Sequence, residues 1–156
     1  MATVLVLNGP NLSRLGAREP EIYGRWDAER LRSAVTGWAA ELGLSVQWHQ
    51  SDDEAELVRL LHTAADDGTD VVINPAAFTH YSYALRDAAK QVTDAGGRLI
   101  EVHLSNPASR EVFRHTSVIA GVASGTVAGF GAHSYRLALH ALSDQGQDVD
   151  SIESSL

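Results

Sequence analysis

Three polar clusters stand where short apolar runs end: Asn8-Gly9-Pro10-Asn11, Asn74-Pro75-Ala76-Ala77-Phe78-Thr79-His80 and Glu101-Val102-His103-Leu104-Ser105-Asn106. Any one of them alone reads as turn chemistry, because Asn, Gly and Pro are the common turn residues. The third also contains an acid–base pair. Glu101 lies two residues before His103, so in a strand both side chains share one face, and an imidazole beside a carboxylate can take or give a proton near neutral pH. A histidine that is only a hydrogen-bonded part of the structure is the competing reading. Leu104-Ser105-Asn106 adds backbone N–H groups and a hydroxyl, a seat for a carboxylate. Arg110 and Arg114, four residues apart, either bring positive charge to the same place or form a salt-bridged surface face.

The segment after the first cluster, Leu15-Gly16-Ala17-Arg18-Glu19-Pro20-Glu21-Ile22-Tyr23-Gly24-Arg25, is long and charged enough to act as a lid. Tyr23 follows Arg18 by five residues. A phenol with a pKa of ~10 is almost wholly protonated at pH 7, so using it as a base costs roughly 4 kcal/mol unless a cation stabilises the phenolate. Arginine supplies that charge without competing for the proton. The alternative is a surface loop with solvated arginines and a Tyr23 that packs on its neighbours.

Composition removes other chemistries. The chain has 156 residues, no cysteine, and 12 Lys+Arg against 20 Asp+Glu, a formal charge of −8. Its length suits one domain, and 44% apolar with 21% charged residues suits a soluble globular fold. Without cysteine there is no disulfide scaffold, thiolate metal site or thiol nucleophile, which fits a cytoplasmic protein. Net negative charge argues against a general nucleic-acid binder, and no apolar stretch is long enough for a membrane span. Lys90 is the only lysine, so no glycine-rich loop carries the lysine of a nucleoside-triphosphate site. The seven histidines show no metal-ligand spacing, so neither metal nor cofactor is expected.

The elements that must position these groups follow from periodicity. Apolar runs predict strands at Thr3–Leu7, Leu44–His49, Asp70–Asn74, Arg98–His103 and Ser117–Ala120. Helical spacing relates Leu31, Val35, Trp38 and Leu42; then Leu57, Leu61 and Ala64 or Ala65; then Leu85, Ala88 or Ala89 and Val92; a last helix runs from about His133 to Leu142. Ser51 and Glu54 read as a capping box, and Gly43 and Gly68 as helix terminators. This alternation predicts a single α/β domain over 1–143: a flavodoxin-like, doubly wound, five-stranded parallel sheet of order 2-1-3-4-5 with helices on both faces. Residues 144–156 read as a polar, acidic, disordered tail. In such a sheet the ligand sits beyond the carboxyl ends of the first and third strands, where all three clusters fall.

These residues resemble the type II 3-dehydroquinate dehydratases. The likeness runs from about Val4 to Leu142. It rests on Leu7-Asn-Gly-Pro-Asn-Leu12, Arg18-Glu-Pro-Glu-Ile-Tyr-Gly24, Ile73-Asn-Pro-Ala-Ala-Phe-Thr-His-Tyr-Ser82 with Ala84-Leu-Arg-Asp87, Glu101-Val-His-Leu-Ser-Asn106 and Arg110-Glu-Val-Phe-Arg114. Ser13-Arg14 departs from the family's usual Asn and aliphatic residue beside the lid. The resemblance implies a cofactor-free anti elimination of water from 3-dehydroquinate through an enolate, a step of the shikimate pathway. It casts Tyr23 as base, Arg18 as its activator, Asn11 as enolate stabiliser through a water, and His103, oriented by Glu101, as acid. It assigns the substrate carboxylate to the Leu104 and Ser105 backbone and the ring hydroxyls to Asn74, His80 and Arg114. Asp87 would reach a neighbouring subunit's site in a dodecamer of four trimers. Two rivals stand beside it: a catalytically inactive paralogue, and a flavodoxin-like binding or signalling module, although Asn8 and Asn74 replace the acidic residues that a receiver needs.

Overall fold

The computed structural model describes residues 1–17 and 26–143. Five strands form one sheet: β1 (Ala2–Asn8), β2 (Leu44–Gln50), β3 (Asp70–Asn74), β4 (Leu99–His103) and β5 (Gly125–Ala128). Their order is β2-β1-β3-β4-β5, as the sequence predicts, and every pairing is parallel. Four helices, α1 (Ala28–Glu41), α2 (Glu54–Asp67), α3 (Tyr83–Asp94) and α4 (His133–Leu142), cover the two faces.

The alternation of side chains along each strand divides the core in two. Val4 and Val6 of β1 pack with Leu31, Val35 and Ala39 of α1 and with Ala138 and Leu139 of α4. Leu5 and Leu7 pack on the other face with Leu57 and Leu61 of α2 and Leu85, Ala88 and Val92 of α3. Strands buried on both sides read as continuous apolar runs, which is why β1, β3 and β4 are plain in the sequence. Gly43 and Gly68 both take positive φ, 74° and 68°, the left-handed conformation in which a helix hands over to the next strand.

Two local expectations need correction. The fifth strand is Gly125–Ala128 rather than Ser117–Ala120. In the predicted segment the Ser117 hydroxyl accepts hydrogen bonds from the Ile119 and Ala120 N–H groups, which curls the backbone into a turn, and Ile119 is buried as a single plug. The second correction is at α2, whose N-cap is Asp53, its carboxylate accepting from the Ala55 N–H at 2.9 Å. Ser51 instead donates to Glu56, and Glu54 accepts from Ser82 at the start of α3.

The order in which strands are added reverses between β1 and β3, the switch point of the sheet. Asn8 is in register with Asn74, and the Gly9 N–H donates to the Asn74 carbonyl at 2.8 Å. A Cβ at position 9 would lie 2.5 Å from the Pro75 carbonyl oxygen, so only glycine lets the two strand ends approach this closely.

Candidate active site

At the carboxyl edge the ends of β1, β3 and β4 line a small cleft. Of the residues singled out in the sequence, Asn11, Asn74, His80, His103, Leu104, Ser105 and Arg114 all line it, together with Arg110. Glu101 lies beneath it. Asp87, in α3, does not line the cleft; it is exposed and ion-paired with Arg86 at 2.9 Å. Arg18 and Tyr23 fall outside the described residues, as does the tail after Ser143.

Each strand end supplies its groups in a distinct way. After β1 the chain turns at Asn11, whose φ of 69° is a left-handed conformation that asparagine tolerates better than most residues. Its N–H donates to Asp52 at 2.9 Å, and its side chain does not cap the 3-10 turn that follows, so the amide remains at the cleft. After β3 a 3-10 turn spans Ala76–His80. Ala76 has a φ of 51°, and its N–H donates to Asn74 Oδ1. His80 Nδ1 lies 2.8 Å from the Thr116 carbonyl. After β4 the backbone of Leu104 and Ser105 forms the far wall, and Arg110 donates to the Ser105 hydroxyl at 3.2 Å. Arg114 stands in a second short turn and donates to Glu111.

Glu101 is the buried charge of the site. It is 0% exposed and in register with Ile73 of β3. His103 Nε2 lies 2.5 Å from Glu101 Oε2; the Thr79 hydroxyl donates to the same oxygen at 2.6 Å, and the Ser117 hydroxyl donates to Oε1 at 2.8 Å. Burial pushes the carboxyl pKa up, but the bonds from His103, Thr79 and Ser117 outweigh it, and Glu101 ends below the ordinary carboxylate range. It therefore holds its charge at neutral pH. With Nε2 engaged, Nδ1 is the His103 nitrogen left for a ligand, and the ring is 11% exposed at the cleft. Thr79 and Ser117 escaped the sequence reading. Their signal would have been the rule that a buried carboxylate must find donors, but nothing in the spacing says which hydroxyls they are.

The electrostatics point to an anion. On a chain of net charge −8, the described residues lining the cleft include Arg110, Arg114 and two histidines and no carboxylate. Among the described residues no three His, Asp or Glu side chains are grouped to hold a metal ion, and no helix is long and apolar enough to cross a membrane.

A doubly wound parallel sheet with an imidazole–carboxylate pair and two arginines at its switch point defines a small α/β enzyme that handles protons on an anionic substrate. Comparison with known proteins makes this specific. The Dehydroquinase class II family matches residues 2–143, and the chain belongs to that family. The 3-dehydroquinate dehydratase of Pelotomaculum thermopropionicum is 53% identical over 138 residues, covering 88% of this chain and 94% of its own. That of Salinispora tropica is 52% identical, with 89% and 95% covered. The crystal structure of the type II dehydroquinase from Propionibacterium acnes superposes with a TM-score of 0.87 at 48% identity, covering 91% of this chain and 96% of that one.

Proposed function

We propose that this chain is a 3-dehydroquinate dehydratase that eliminates water from 3-dehydroquinate in the anti sense through an enolate, in the shikimate route to aromatic amino acids. The observation that carries this reading is the buried, ionised Glu101 holding His103 at a cationic cleft in a chain of this family. Tyr23, as a phenolate beside Arg18, removes the C2 proton; the electron pair moves onto the carbonyl oxygen, which Asn11 stabilises through a water. The enolate then collapses, the C1–oxygen bond breaks, and His103 protonates the leaving hydroxyl to give water and the conjugated enone. Solvent returns a proton to His103 and takes one from Tyr23. The Leu104 and Ser105 backbone receives the substrate carboxylate, and Asn74, His80 and Arg114 hold the ring hydroxyls. No cofactor takes part.

Binding and activating arginines separate in kinetics. Arg114→Ala is expected to raise KM about tenfold or more with a smaller change in kcat, and Arg18→Ala to lower kcat about as strongly with a smaller change in KM. If both variants act on the same parameter, the two roles have been assigned wrongly.

The reading extends to assembly and location. Tyr81, Val112 and Phe113 are 58%, 80% and 58% exposed, and Phe113 packs edge-on against His80 beside the cleft. That apolar rim and the exposed Asp87 support a homododecamer of four trimers, with Asp87 completing a neighbour's site. Light scattering is expected to give about twelve times the chain mass, and a fully active monomer at assay concentration would refute this. The cysteine-free composition supports a cytoplasmic location.

A further inference from the structure

Tyr135 of α4 is 0% exposed and takes no part in the reaction scheme, yet its hydroxyl lies between the ends of β1 and β3. It donates to Asn8 Oδ1 at 2.6 Å and accepts from Asn74 Nδ2 at 3.0 Å. The chain of bonds continues at both ends to the backbone: Asn8 Nδ2 donates to the His49 carbonyl at 3.1 Å, and the Ala76 N–H donates to Asn74 Oδ1 at 3.1 Å. A carbonyl can only accept and a backbone N–H can only donate, so these two ends fix the direction of every bond between them. Asn8 must turn its oxygen toward Tyr135, Tyr135 must give its proton to Asn8, and Asn74 must turn its NH₂ toward Tyr135. One N–H of Asn74 and one lone pair of its oxygen are thereby left for a ligand in the cleft. Burial raises the phenol pKa, which keeps the proton that this chain requires.

We propose that Tyr135 is a positioning residue for the reaction: its hydroxyl sets the orientation in which the Asn74 amide meets the substrate's ring hydroxyls. This rests on the function proposed above. Loss of the hydroxyl leaves Asn74 held at its oxygen alone, and the amide can then twist away from the cleft. His103 is not a partner in this chain of bonds, so the defect belongs to binding rather than to the protonation of the leaving group.

The test is a double-mutant cycle on the full-length protein with 3-dehydroquinate as substrate. Tyr135→Phe keeps the ring in its stack on Trp48, whose centroid is 6.1 Å away, and is expected to raise KM about tenfold with kcat within about threefold of wild type. In an Asn74→Ala background the same change should alter KM by less than about twofold, because its route of action is gone. A general loosening of the core would instead lower the melting temperature and act alike in both backgrounds. If near-ultraviolet circular dichroism shows Tyr135→Phe unfolded, Asn8→Ala, which removes the acceptor that holds the phenol's proton, takes its place in the cycle with the same expectations. An unchanged KM, or an effect that persists in full without Asn74, overturns the inference while wild-type turnover leaves the function standing. Wild-type protein that does not convert the substrate overturns the function and this inference with it.

Discussion

Replacing Tyr23 by phenylalanine is expected to lower turnover at least ~10²-fold while substrate still binds, because a positioned base contributes on the order of 10² to 10⁴ in rate. The substitution keeps the ring and removes one hydroxyl. If Tyr23 only packs in a loop, the loss is about 1 kcal/mol or less, a factor of about five shared between binding and rate. If it is the base, the group that accepts the C2 proton has gone. A residual rate would come from the acid His103 and from enolate stabilisation by Asn11. The pH profile is an independent check: a phenolate held by Arg18 should give an activity limb well below the ~10 of a free tyrosine. Near wild-type turnover in Tyr23→Phe would transfer the base role to His103.

Glu101→Gln is the second large effect expected, and it follows directly from the described geometry. The two carboxylate oxygens accept from Thr79, Ser117 and His103, so every neighbour is turned to give a hydrogen. A glutamine offers one oxygen and one NH₂, and the NH₂ must face at least one of those donors. Placed at the Oε1 position, the NH₂ faces only Ser117, whose hydroxyl also reaches Oε2 at 3.0 Å, so the amide oxygen keeps His103 and Thr79 as donors while the buried negative charge is lost. With that charge gone, no anion offsets the positive ring that gives up the proton, so kcat should fall on the order of 10²-fold. Thr79→Val and Ser117→Ala, which weaken the hold on the carboxylate without removing it, should lower kcat by less. Steady-state rates from pH 5 to 10, with thermal unfolding to verify the fold, would decide this. A Glu101→Gln enzyme within about threefold of wild type at every pH would make the pair a structural contact only.

The legibility of the molecule follows the physical origin of each signal. Strands β1, β3 and β4 are buried on both faces, and their apolar runs declare them. The helices declare themselves through positions such as Leu57 and Leu61, whose repeat matches the helical turn. Strand β5 carries no such mark: Gly125, Val127 and Ala128 are only partly covered and Thr126 is exposed, so Gly125–Ala128 resembles a loop in sequence, while buried Ile119 makes its neighbours resemble a strand. Within the site, Glu101 and His103 were legible because they share one strand at a two-residue spacing. Thr79, Ser117 and Tyr135 were not, because their importance lies in what they meet across 22, 16 and 127 residues of sequence. Asn11, Asn74 and Gly9 read equally well as turn formers, and only the convergence of β1 and β3 gives them a common place. The roles given to Tyr23 and Arg18 rest on the sequence motif and its resemblance, since both residues lie outside the described structure.

The central claim is that the cleft at the ends of β1, β3 and β4 turns 3-dehydroquinate into a conjugated enone. Its most direct measurement is the ultraviolet absorbance of that enone after purified full-length protein is mixed with 3-dehydroquinate, alongside His103→Ala as a matched control. The account predicts a steady rise in absorbance with wild-type protein, proportional to protein concentration, and a rise at least ~10²-fold slower with the variant. No rise with folded wild-type protein, or equal rates from the two proteins, would contradict it.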